Sequence, residues 1–253
     1  MFRPKIIGFV CNWSLPIGMD ITSSQGTQGR PKMHAIRVMC VGRIDPVIVL
    51  ETFAQGADGV LMIGCPSPDC HYTKGNLQAE QKVKVLKKLL SLTGLEPERL
   101  RLDQAYAADI ESFAKIVDDF RDQVAMIGRS PVTNHDGKIL LNVMAAKSAA
   151  SDFRLRVLTR REEELTEARN VYGEVIPEGE FDKVLDEVVR EEFTRHKIHL
   201  LAKQKPFSVK ELAPIMELKP AEVLCHIVDM RRKGMIALDH VEDTTPLYKS
   251  LEV

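Results

Sequence analysis

The sequence of 253 residues carries almost no excess charge of either sign and contains no long apolar run. Its 35 lysines and arginines stand against 36 aspartates and glutamates. This balance argues against a dedicated nucleic-acid or membrane-surface protein, because such proteins usually carry a large basic excess. Apolar runs such as residues 47–50 fall far short of the roughly 20 residues that a membrane-spanning helix needs. We therefore expect a soluble protein without membrane contact.

We also expect no secretory signal. Arg3 and Lys5 precede an apolar segment, but residues 6–10 are too few for a signal-peptide core, and no small-residue cleavage site follows. The five cysteines are then expected to be reduced thiols or metal ligands rather than disulfides. A cytoplasmic location is the corresponding expectation.

Three short, apolar, β-branched segments each end at a cysteine, namely Cys11, Cys40 and Cys65. Helical patterns with apolar residues every three to four positions alternate with these segments. The predicted strands cover 5–10, 35–39, 59–64 and 100–107, and the predicted helices cover 45–55, 75–93 and 109–126. This alternation predicts an α/β fold with a small parallel sheet of the flavodoxin-like type.

The second half of the chain has a different pattern. Residues 130–137 favour a loop and place the end of a first domain at residue 129. A helical linker over 130–179 follows, in which 138–170 predicts one long, solvated connector helix. The third predicted domain, 180–253, contains three helices and two alternating strands, the pattern of a winged helix.

The cysteines are the candidate functional residues. Parallel strands open onto a common crevice at their carboxyl ends, so Cys11, Cys40 and Cys65 should converge there. Cys70 joins them through a short loop that contains two prolines. Four thiolates suit either zinc or an iron–sulfur cluster. The wide spacing of all but one pair favours the cluster over structural zinc, and buried, inert cysteines are the third interpretation.

Several segments around these cysteines resemble the delta subunit of methyl-viologen-reducing hydrogenase. The resemblance covers about residues 4 to 128 and rests on KIIGFVCNW at 5–13, RVMCVGRI at 37–44, GADGV at 56–60, GC at 64–65, DCHY at 69–72 and GN at 75–76. It implies a single 2Fe-2S cluster with Cys11, Cys40, Cys65 and Cys70 as ligands. Members of this family commonly have a further cysteine or selenocysteine at the position of Ser14, so the four remaining thiols are just sufficient here.

The resemblance also implies a function and partners. The chain would be a non-catalytic electron-transfer subunit of an anaerobic, electron-bifurcating oxidoreductase complex. It would relay electrons between a hydrogenase, formate dehydrogenase or ferredoxin and an FAD flavoprotein of the heterodisulfide-reductase type. Longer relatives also serve benzoyl-coenzyme A reductase complexes, so the host complex stays open.

Residues near the cysteines have alternative interpretations. Trp13 would shield the cluster or anchor a partner, or would simply pack in the core. Arg43 would offset the charge of the cluster or form a surface salt bridge. His71 could replace a thiolate as an iron ligand, as histidine does in Rieske centres, but four thiolates make this unnecessary. Cys225 is expected to be a small buried residue on the third winged helix.

The winged helix raises a rival function, a metal- or redox-sensing transcription regulator. Arg231, Arg232 and Lys233 form a basic helix end that would suit phosphate contacts. However, residues 219–222 at the helix start carry no arginine, asparagine or glutamine for base contacts. Protein docking is therefore favoured, and nucleic acid is not an expected partner. A thiol-redox enzyme using Cys65 and Cys70 is least favoured, since the chain has no C-x-x-C motif there.

Overall fold

The computed structural model describes residues 2–14, 33–134, 136–169 and 172–251. Its first layer is a four-stranded parallel sheet in the order β2-β1-β3-β4. The strands are β1 (Ile6–Cys11), β2 (His34–Val38), β3 (Gly59–Gly64) and β4 (Leu100–Gln104). The central strand β3 is buried at every position, which explains its continuous apolar sequence. The predicted parallel α/β sheet is confirmed.

Helices cover both faces of this sheet. They are α1 (Pro46–Ala54), α2 (Gly75–Thr93) and α3 (Ile110–Ile127). Val60 and Met62 of β3 pack with α1 and α2, whereas Leu61 and Ile63 face α3, as the two-residue period of a strand requires. The start of α1 matches the sequence signal, because the Asp45 side chain accepts a hydrogen bond from the backbone N–H of Val47 at 3.0 Å.

A buried arginine links two elements of the sheet domain. Arg99 is 1% exposed, and its guanidinium donates to the backbone carbonyls of Asp58 at 3.0 Å and Gly128 at 2.9 Å. Its Nε also pairs with the half-exposed carboxylate of Glu96 at 2.6 Å. Arg99 therefore connects the start of β3 to the end of α3.

We expect Arg99→Met to destabilise the chain by about 3 kcal/mol, since it leaves buried carbonyls without donors. Arg101→Met, which breaks only the partly exposed pair with Asp103 on β4, should cost about 1 kcal/mol or less. Urea unfolding of both variants measures the difference. Equal losses of unfolding free energy in the two variants would show that the buried carbonyls do not determine the destabilisation by Arg99→Met.

The region after the sheet differs from the predicted single solvated helix. It forms α4 (Gly137–Ser151), α5 (Phe153–Arg160) and α6 (Glu162–Glu167). Asp152 ends α4 and caps α5, accepting a hydrogen bond from the backbone N–H of Arg154 at 2.8 Å. Ala145, Ala146 and Ala149 of α4 are fully buried because small side chains allow neighbouring helices to approach closely. The expectation of a solvated connector was wrong for α4.

The C-terminal region begins with the long helix α7 (Glu178–Gln204). Two shorter helices and three strands follow: β5 (Phe207–Ser208), α8 (Val209–Met216), α9 (Pro220–Arg232), β6 (Ile236–Glu242) and β7 (Thr245–Ser250). The strands form a small antiparallel sheet in the order β5-β7-β6, in which the two-residue strand β5 was not predicted. The domain boundaries at 129 and 179 stay predictions. No helix within the described residues is long and apolar enough to span a membrane.

Candidate metal centre

The four predicted ligand cysteines lie at one edge of the parallel sheet. Cys11 is the last residue of β1, Cys40 follows β2, and Cys65 directly follows β3. Cys70 lies in the loop between β3 and α2. Because β1 pairs with both β2 and β3, the carboxyl ends of all three strands are neighbours. All four cysteines are at least nine-tenths buried, and none forms a disulfide.

The four sulfurs are near one another without forming one compact group. Cys11 Sγ and Cys65 Sγ are 3.6 Å apart. Cys40 and Cys70 both lie next to Gly75, where an added Cβ would be 2.4 Å from Cys40 Sγ and 3.4 Å from Cys70 Sγ. No three of these sulfurs lie within 4.8 Å of one another in the described chain.

Burial controls the acidity of these thiols. It raises the pKa of the Cys11 thiol from 9.0 to about 11, an effect that the backbone N–H of Trp13 opposes and the neighbouring Cys65 increases. Burial also raises the pKa of Cys40, against the backbone N–H groups of Gly42 and Arg43. Without a cation, both thiols are protonated at neutral pH. A metal ion supplies the positive charge that stabilises thiolates at such a site.

Two glycines allow the turn after β2 to lie against the start of α2. A Cβ on Gly42 would be 2.2 Å from the carbonyl oxygen of Gly75, so this approach excludes any side chain at position 42. The Lys82 ammonium fixes the same turn by donating to the carbonyl of Gly42 at 2.5 Å and that of Ile44 at 3.2 Å. The position of Cys40 therefore depends on α2 as well as on β2.

Comparison with known proteins identifies the N-terminal half. The family "Methyl-viologen-reducing hydrogenase, delta subunit" matches residues 6–128. The chain is 38% identical over 138 residues to the vhc iron-sulfur subunit of the F420-non-reducing hydrogenase of Methanococcus voltae, covering 54% of this chain and 96% of the relative. This chain belongs to the hydrogenase delta-subunit family. The match ends at residue 128, which agrees with the predicted extent of the resemblance.

Further relatives support this assignment. The iron-sulfur subunit of the F420-non-reducing hydrogenase from Archaeoglobus profundus is 35% identical over 127 residues, covering 50% of this chain and 93% of the relative. The chain also matches one subunit of the ferredoxin/F420H2-dependent CoB-CoM heterodisulfide reductase of Methanosarcina acetivorans, at 37% identity over 125 residues. That match covers 49% of this chain but only 16% of the longer relative.

An aromatic group lies on the surface of the delta-subunit half beside the cysteines. The rings of Trp13 and His71 are stacked, with centroids 3.6 Å apart and an interplanar angle of 18°, and Tyr72 contacts His71 edge-on. Trp13 is 45% exposed, so its interpretation as a core residue is wrong. Arg43 is exposed and has no ion-pair partner among the described residues, so both interpretations of this residue stay predictions.

Ser14 is a candidate functional residue that sequence reasoning treated only as a missing cysteine. It is completely buried, and its backbone N–H donates to the carbonyl of Cys11 at 3.0 Å. Its hydroxyl has no hydrogen-bond partner among the described residues. Buried hydroxyl groups normally have a partner, so an unpaired one beside Cys11 is consistent with an acceptor that a bound cofactor would supply.

Cys225 does not occupy the buried position predicted for it. The buried side of α9 carries Val223, Ile227 and Met230, and Cys225 lies on the exposed side. The neighbouring Leu224 is 46% exposed. The spacing of the three buried residues was visible in the sequence and would have placed Cys225 correctly, because residues two positions apart on a helix lie on nearly opposite sides.

Proposed function

We propose that this chain holds one 2Fe-2S cluster on Cys11, Cys40, Cys65 and Cys70, and that it is a non-catalytic electron-transfer subunit. The observation that carries the proposal is that four buried sulfurs share one sheet edge without forming one compact group, while Cys11 Sγ and Cys65 Sγ are 3.6 Å apart. A two-iron cluster takes two thiolates on each iron, so it does not need all four sulfurs around one point. A single tetrahedral zinc ion would instead hold all four sulfurs within about 3.8 Å of one another.

Other features of the site support the same cofactor. The thiols are buried, Ser14 with its unpaired hydroxyl lies in the turn that follows Cys11, and the absence of a side chain at Gly75 lets Cys40 and Cys70 lie next to the start of α2. Relatives named as iron-sulfur subunits match this half of the chain over nearly their full length. The residues present therefore fit an iron–sulfur group.

The residues of this chain would act by holding and shielding the redox centre. A bound 2Fe-2S cluster supplies a group that accepts and releases single electrons. The backbone N–H groups of Trp13, Gly42 and Arg43 direct positive charge at the sulfurs, which stabilises added negative charge and raises the reduction potential. The exposed Trp13 and Tyr72 form an aromatic contact surface next to the centre.

The partner is inferred from the longer relative. In Methanosarcina acetivorans, the matching segment is 16% of the heterodisulfide reductase polypeptide. Segments that occur within one polypeptide commonly act together, so the remainder of that polypeptide is the model for the separate partner of this chain. The proposed partner is an FAD flavoprotein of this type, with a hydrogenase, formate dehydrogenase or ferredoxin at the other end of the relay. A benzoyl-coenzyme A reductase-like complex is the alternative host.

The C-terminal region is proposed to be a winged helix that docks a protein. Three observed features agree with this assignment: α8 and α9 are consecutive, the hairpin β6–β7 follows, and β5 completes the sheet. The exposed side of α9 carries Leu224 and Val228, which suit a protein surface better than a DNA groove. Operator binding that depends on the redox state would instead support the transcription-regulator alternative.

Metal analysis of the anaerobically purified protein tests the cofactor. We expect about two iron and two sulfide per chain, no stoichiometric zinc, and a spin-half electron paramagnetic resonance signal after reduction with dithionite. One zinc ion per chain without sulfide would contradict the electron-transfer proposal and make the cysteine site structural.

Ser14→Ala should leave the iron content unchanged but lower the reduction potential. We expect the Ser14 hydroxyl to donate to a sulfur of the reduced centre, and a hydrogen bond worth about 1 kcal/mol corresponds to about 40 mV for one electron. Ser130→Ala is the matched control, since Ser130 is equally buried with an unpaired hydroxyl but lies after α3. A redox titration followed by electron paramagnetic resonance measures both. Equal potentials for the wild type and Ser14→Ala would rule out this role.

A further inference from the structure

A second cluster of potential ligands lies outside the delta-subunit half. Asp152 lies at the corner between α4 and α5, and Glu192 and His196 are one turn apart on α7. Residues four apart on a helix project from the same face. One ligand atom from each of the three residues lies within 4.8 Å of the other two. The fold therefore brings two carboxylates and an imidazole from distant parts of the sequence to one point.

Two atoms of this cluster have no hydrogen-bond partner. Glu192 is completely buried, and its Oε2 has no partner among the described residues. His196 Nε2 is also buried and makes no hydrogen bond, although it lies in ion-pair range of Asp152 Oδ2 at 3.6 Å. That contact with His196 lowers the pKa of the Asp152 carboxyl. A buried carboxylate oxygen without any partner is unfavourable for the fold, and a bound cation would satisfy it.

The surrounding charges leave room for such a cation. Glu192 Oε1 accepts from Arg195 at 2.5 Å, Arg154 at 3.3 Å and Lys233 at 3.4 Å, so these cations face the other oxygen of the carboxylate.

The two arginines also have carboxylate partners of their own. Arg154 pairs with Glu191, and Arg195 pairs with Asp229 at 3.0 Å. Four carboxylates therefore face three cations: Asp152, Glu191, Glu192 and Asp229 against Arg154, Arg195 and Lys233. The half-buried His226 lies near the same groups. The Lys233 side chain is 41% exposed, so solvent screens its charge.

We propose that Asp152, the Oε2 of Glu192 and the Nε2 of His196 bind a divalent first-row transition ion. Mixed carboxylate and imidazole ligands suit Zn²⁺ or Mn²⁺, whereas the four cysteines at the sheet edge select thiophilic metals. Asp152 is 17% exposed and His196 is 14% exposed, which leaves a path for the ion and a position for water. The ion would fix the corner between α4 and α5 against α7.

Mn²⁺ is the probe for this site, because it prefers oxygen and nitrogen ligands and competes poorly for thiolates. The cluster-loaded, full-length chain is titrated with Mn²⁺, and the free ion is counted by electron paramagnetic resonance. We expect one Mn²⁺ per chain, displaced by one equivalent of Zn²⁺. His196→Gln and Glu192→Gln should each weaken binding at least tenfold.

Two further variants keep the test independent of folding defects. Asp152→Asn removes a ligand charge but retains a side chain that caps α5 well, and it should also weaken Mn²⁺ binding at least tenfold. Glu191→Gln, next to Glu192 but outside the ligand set, should change the affinity less than threefold. An unchanged circular dichroism spectrum and melting temperature show that a variant is folded. No Mn²⁺ binding by the wild type, or equal binding by Asp152→Asn, overturns the proposal and leaves the trio as an ion network.

Discussion

Cys65→Ala should remove the iron–sulfur cluster from this chain. Cys65 Sγ is 3.6 Å from Cys11 Sγ, so the two sulfurs are placed to bind the same iron. Only four cysteines lie at the site, and alanine offers no ligand in place of the lost thiolate. We expect the anaerobically purified variant to retain less than about a tenth of the wild-type iron and sulfide, without a spin-half signal after reduction.

Cys225→Ala is the matched control for this substitution. It removes the fifth cysteine, which is exposed on α9 and far in sequence from the sheet edge. We expect full iron content and an unchanged spectrum for this variant. Circular dichroism of both variants checks folding, since replacing one buried thiol by a methyl group should cost only about 1 kcal/mol. Wild-type iron in Cys65→Ala would remove Cys65 from the ligand set.

Gly75→Ala should also prevent cluster binding, but without loss of stability. The new Cβ would lie 2.4 Å from Cys40 Sγ, which is closer than carbon and sulfur atoms can approach without one moving. In the cluster-free chain the Cys40 side chain can rotate away, whereas a sulfur bound to iron cannot. Alanine also favours the first turn of α2 over glycine. The expected result is a large loss of iron with a melting temperature equal to or above that of the cluster-free wild type.

Gly137→Ala provides the comparison for this prediction. Gly137 is the first residue of α4, as Gly75 is the first residue of α2, but a Cβ there would meet no atom within 4 Å. This variant should keep its iron. The pair separates the steric effect at Cys40 from the general effect of alanine at a helix start. Normal iron content in Gly75→Ala would mean that Cys40 and Cys70 are not held together as proposed.

Local sequence signals predicted the α/β half of the fold well. β-branched segments, the Asp45-Pro46 helix start and the glycine after α2 determine structure through short-range sterics and backbone hydrogen bonds, which the sequence displays directly. The convergence of Cys11, Cys40 and Cys65 was also predictable. It requires only that each strand ends at its cysteine and that the strands are parallel.

The errors came where burial depends on a distant element. The charges from Arg154 to Arg169 suggested a solvated helix over 138–170, but α4 is buried by packing against α1, α2 and α7. Cys225 was expected inside because its neighbours are apolar, yet the partners of α9 cover the side that carries Val223 and Ile227. Local hydrophobicity does not say which side of a helix meets another element.

The sequence by itself determined the parallel sheet, the four cysteines at its edge and membership of the delta-subunit family. Only the tertiary structure decided the distances between the four sulfurs, because the position of Cys40 depends on how closely the turn at Gly42 approaches Gly75. It also decided that Asp152 meets Glu192 and His196, which are separated from it by about 40 residues and share no motif. Contacts of this kind are produced by packing between helices, and no local pattern in the chain encodes them.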